Sequence, residues 1–125
     1  MSLKEEIKKA VGDHGTWKKM LRNAVNTGKI EVEIPVIKAD NECSFGKWLN
    51  GSTLSEKQKK SSHYQKVREL HAAFHEKAAK TAELAITDQK ARAMKMLEVN
   101  GEFTTASAAL TTSMMAWLKE AKNNS

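Results

Sequence analysis

From Ser61 to Ile86 the chain repeats one pattern. Tyr64, Val67, Leu70, Phe74, Ala78 and Ala82 follow one another at steps of three and four, with polar residues between them. That period places the apolar residues on one side of a helix and demands a surface to bury them against. A helix of this length cannot stand alone, so other segments must supply that surface. Residues 1–27 repeat the pattern with Ile7, Ala10, Val11, Leu21, Ala24 and Val25, and Gly28 is a stop signal just past the end. A third helix is expected from Asp88, read as its N-cap after a break at Thr87. It carries two apolar stripes. Met94, Leu97, Ala108, Met115 and Leu118 form one; Val99, Phe103, Ala106, Leu110, Met114 and Trp117 form the other. A helix apolar on two sides is expected to be buried on two sides, one in the bundle and one against a partner subunit. Asn100-Gly101 marks a kink or break within it.

The remaining stretch reads differently. In 29–42, Ile30, Val32 and Ile34 alternate with Glu31 and Glu33, but Pro35 interrupts and no partner strand exists elsewhere. An extended crossover lying on the bundle is the expectation. A short helical turn from Phe45 to Leu49, closed by Asn50-Gly51, follows it. The fold class is therefore all-α: one domain over residues 1–125, without internal repeats.

Composition narrows the function. Hydrophobic residues make up 40% of the 125, enough for one modest core. No run approaches the ~18 apolar residues that span a bilayer, and the polar start MSLKEEIKKA lacks the apolar centre of a signal peptide. A cytoplasmic location without membrane contact is the expectation. The net charge of +6 comes mostly from lysine, since Arg22, Arg68 and Arg92 are the only arginines. Lysines spread along the chain among acids describe a solvated surface and not a nucleic-acid reader, which concentrates arginine and aromatics.

Polar residues that break the apolar pattern carry the functional signal. His14 continues the core-facing series of the first helix. His71 and His75, four residues apart, share a face with Val67, Leu70, Phe74 and Ala78. One buried histidine is ordinarily satisfied by a backbone carbonyl; three on core faces ask for a common partner. His-x-x-x-His puts two imidazoles on consecutive turns, within reach of one metal. Cys43, the only cysteine, cannot form an intramolecular disulfide and is the natural additional ligand. Three imidazoles and one thiolate suit tetrahedral Zn2+ better than iron or copper. Phe45, Trp48 and Leu49 would anchor the cysteine turn, and Gly46 would let its backbone approach closely. Trp17 and Trp48 read as core anchors that also keep water from the metal. His63, beside a lysine-serine run, reads as surface, as do Asp40 and Glu42. Met94, Met96, Met114 and Met115 read as packing or interface residues.

Three motifs, His14-Gly-Thr-Trp17, Cys43-Ser-Phe-Gly-Lys-Trp48 and His71-Ala-Ala-Phe-His75, occur in an order that resembles the chemoreceptor zinc-binding (CZB) domain family, over about residues 5–120. The resemblance implies a dimeric four-helix bundle with His14, Cys43, His71 and His75 on one zinc. It also implies a sensor of zinc or of oxidants, coupled to a chemoreceptor or a diguanylate cyclase. Two other classes stay open: a zinc hydrolase with a displaceable ligand, and a metal-free helical interaction module whose histidines only hydrogen-bond.

Overall fold

The computed structural model describes residues 3–30, 32–39 and 43–123. Its helices are α1 (Leu3–Thr27), α2 (Ile34–Lys38), α3 (Ser44–Asn50), α4 (Glu56–Lys59), α5 (Ser62–Ile86), α6 (Lys90–Leu97) and α7 (Glu102–Asn123), and no strand occurs among the described residues. The fold is the expected all-α bundle. α1, α5, α6 and α7 each touch the other three, while α2 and α4 lie on α5 and α3 lies on α1. No helix among the described residues is long and apolar enough to cross a membrane.

Helix ends follow local chemistry. α1 stops where Gly28 takes a φ of +73° and its N–H closes back on the Ala24 carbonyl at 2.7 Å, the left-handed cap that glycine adopts without steric cost. Ser61 caps α5, its hydroxyl accepting from the Tyr64 N–H at 3.1 Å. One face of each long helix then forms a single core: Ile7, Leu21 and Val25 of α1, Val67, Phe74 and Ala78 of α5, Phe103, Leu110, Met114 and Trp117 of α7.

Three expectations need correction, those for 29–42, Asp88 and Val99, and one short helix was not foreseen. The crossover does lie on the bundle, but it is helical at 34–38. Pro35 sits in the first turn of α2, where a missing N–H costs nothing, so it starts a helix instead of interrupting a strand. The lysine-serine run contains α4, held by a reciprocal capping box between Ser55 and Gln58. Asp88 is not an N-cap. It stands at φ 60° beyond α5, and the next residue's N–H returns to the Leu84 carbonyl at 3.1 Å. That is a left-handed helix stop, a conformation Asp tolerates better than most residues; α6 begins after Gln89. Asn100-Gly101 is the expected break, separating two helices, but Val99, placed on the buried stripe by its spacing, is 86% exposed within it. Of the two stripes, Phe103, Leu110, Met114 and Trp117 are buried together with Leu118, whereas Met94 and Met115 are about half exposed.

Candidate metal centre

Three elements meet near the middle of the bundle. α1 presents His14, the turn into α3 presents Cys43, and α5 presents His71 and His75 one turn apart. One ligand-capable atom from each of the four lies within 4.8 Å of every other. His71 Nε2 is 3.1 Å from His75 Nε2 and 3.3 Å from Cys43 Sγ. All three histidines are buried, and Cys43 is half-buried.

Backbone groups orient two of these side chains. His75 Nδ1 lies 2.8 Å from the Ile37 carbonyl of α2. A carbonyl only accepts, so Nδ1 donates, and the neutral ring turns its Nε2 lone pair toward His71. Cys43 is the N-cap of α3, and its Sγ accepts the Gly46 N–H at 3.3 Å.

Burial favours the neutral form of His14 and His71. Burial lowers the His14 pKa from 6.5 to about 4; His75 adds to the shift, and the Ala10 carbonyl one turn back opposes it weakly. Burial lowers His71 to about 3, with further contributions from His75 and His14. His14 Nδ1 is buried without a well-formed hydrogen bond. A buried ring nitrogen of the cluster therefore lacks a good hydrogen-bond partner.

The donor set fits a small cation. Zn–N bonds of about 2.0–2.1 Å and Zn–S of about 2.3 Å place tetrahedral ligand atoms roughly 3.3–3.6 Å apart. The separations of 3.1 and 3.3 Å, within an overall 4.8 Å, suit one such ion.

Aromatic rings wall the cluster. Phe74 packs against His14 with centroids 4.6 Å apart, Phe45 lies 5.2 Å from His71, and Trp17 lies 5.2 Å from His75. Trp48 sits one layer farther out, stacked on Phe45 at 5.7 Å and tilted against Trp117 of α7 at 5.9 Å. Thus Trp17 and Phe45 border the histidines, Gly46 holds the sulfur, and Trp48 joins α3 to α7. A cleft of about 230 Å³, lined by Asp13, His14, Thr16, Trp17, Cys43, Ser44 and Phe45, reaches the cluster from solvent. His63 stays outside and pairs with Glu120 at 2.8 Å. Asp40 and Glu42 lie outside the described residues.

Sequence reasoning did not single out the Ile37 carbonyl, because any residue can offer one. Phe74 was legible as an apolar residue between two histidines, yet only the fold shows that it faces a third.

Searches of curated proteins and of solved structures returned no match. The family model described as chemoreceptor zinc-binding domain matches residues 14–82. That span is shorter than the resemblance read from the motifs and leaves α6 and α7 outside, but it contains all four clustered residues. Family and donor set agree on Zn2+ as the cofactor. The chain belongs to the chemoreceptor zinc-binding domain family.

Proposed function

We propose that His14, Cys43, His71 and His75 ligate one Zn2+ and that the domain is a cytoplasmic regulatory module of bacterial signal transduction, in chemotaxis or cyclic-di-GMP signalling. The observation that carries this reading is the convergence of four nitrogen and sulfur donors, from three separate elements, within 4.8 Å. Bound there, the metal supplies a cross-link whose binding free energy becomes folding free energy for the parts it joins. The chain's own residues decide what is joined. His14 holds α1, His71 and His75 hold α5, and Cys43 holds the start of α3, the lightest of the three elements.

Four side-chain ligands leave no coordination position for a substrate water, which favours regulation over hydrolysis. Cys43 is the ligand exposed to change. It is half-buried, lines the solvent cleft, and terminates a seven-residue helix. Loss of zinc, or oxidation of its thiolate, would free α3 from the histidines while α1 and α5 stay packed on each other. A homodimer, and an attached or bound chemoreceptor or diguanylate cyclase, would receive that change.

The Cys43→Ala variant tests the assignment. Loss of groups that merely support a ligand costs 10–100-fold in metal affinity. Removal of this ligand is therefore expected to weaken zinc binding by about 100-fold or more in a competitive chelator titration. Unchanged affinity would remove Cys43 from the site.

A further inference from the structure

We propose that the cleft between the second half of α1 and α6 docks an acidic amphipathic helix from a partner protein. Arg22, Val25 and Asn26 of α1 and Met94 and Leu97 of α6 line a cavity of about 190 Å³. A cavity near 150 Å³ accommodates benzene, whereas small-molecule sites begin at about 300 Å³. The space therefore suits one large apolar side chain better than a cofactor. Its floor is apolar. Val25 is buried, Leu97 is half-buried, and Met94 stands half exposed. Methionine is the side chain best able to adapt to an incoming helix.

Charge selects the occupant. Lys18, Lys19 and Arg22 on α1, and Lys90, Arg92 and Lys95 on α6, are six basic residues; neither Lys18–Thr27 nor Lys90–Leu97 contains an acid. Arg92 and Lys95 line a separate cleft with Glu98 and Glu102, so Lys18, Arg22 and Lys90 are the basic residues that flank this one. Asp88 and Glu98 lie just beyond the two ends of α6. Lys18, Arg22 and Asn26 recur every four residues along one lip, and Lys90 lies one turn before Met94 on the other.

A second copy docked here about a two-fold axis would set this positive corner against itself. Nucleic acid would leave the apolar floor unused, and no aromatic side chain lines the cleft for bases to stack on. A helix with one large apolar anchor and carboxylates a turn to either side of it satisfies both floor and rim. The cleft also lies on the helix that carries His14, which stands eight residues before Arg22. One of its lips, α6, falls outside the family match.

The test uses the zinc-loaded full chain, labelled with 15N, and a synthetic peptide of about four helical turns with a leucine anchor flanked by glutamate. Chemical-shift changes are expected to concentrate at Arg22, Asn26, Met94 and Leu97. Affinity should fall about ten-fold in Arg22→Glu/Lys90→Glu, and again as salt rises from roughly 50 to 300 mM. Both substitutions are at exposed positions, and an unchanged spectrum elsewhere verifies the fold. The proposal is overturned by no shift changes, by changes on another face, or by binding indifferent to the double variant. It is equally overturned if the cleft responds not to the peptide but to phosphatidylserine vesicles, to duplex DNA or to protein concentration alone.

Discussion

At the residue scale, the three core histidines were legible because they violate the pattern around them. A polar side chain in an apolar series is costly unless something compensates it, and each of His14, His71 and His75 interrupts such a series. Their burial also makes the metal-stripped protein sensitive to acid. The folded-state pKa values of His14 and His71 are lowered to about 4 and about 3, while the unfolded chain titrates near 6.5. Between those values the unfolded chain binds more protons. The stability these residues confer is therefore complete above pH 6.5 and is lost as the pH falls toward the folded values. Denaturant melts of chelated protein should lose on the order of 2–4 kcal/mol between pH 7 and pH 5. A flat profile over that range would mean that the imidazoles are not held neutral. The Ile37 carbonyl that orients His75 had no sequence signature, and neither did the Trp48–Trp117 contact, which joins residues far apart in the chain.

At the scale of elements, the long amphipathic helices and the cysteine turn of α3 announced themselves, and α2 and α4 did not. The limits of α5 follow from its period and its Ser61 cap. α2 and α4 contain five and four residues, too few for any period to emerge. Asp88 was misread because Asp serves equally well before a helix and, in the left-handed region, after one; only the chain reversal decides. Asp88→Gly should therefore be near neutral, within about 0.5 kcal/mol, while β-branched Asp88→Val should cost about 1–2 kcal/mol. Gly101 is more demanding. A Cβ there would collide with the Lys95 and Met96 carbonyls, so Gly101→Ala must shift the α6–α7 break and should lower stability by at least about 1 kcal/mol. Equal stability of wild type and Gly101→Ala in urea melts would show that the break relaxes freely.

At the scale of the whole molecule, the bundle builds its metal centre from parts distant in sequence. α1 and α5 pack directly on each other, but α3 touches α1 through a small contact and reaches α5 through the Cys43–His71 contact and the Tyr64 hydroxyl, which donates to the Leu49 carbonyl at 2.9 Å. Chelation should accordingly lower the melting temperature and increase amide exchange first in α3, with α5 protected longest. Uniform exchange across the bundle would contradict a cross-link that acts chiefly on the cysteine turn. The most direct measurement is the metal content of the purified chain, read by elemental analysis before and after titration with a chelator. One zinc per chain, released together with a fall in melting temperature, is the predicted result. A metal-free chain whose stability ignores both added zinc and chelator would contradict the account.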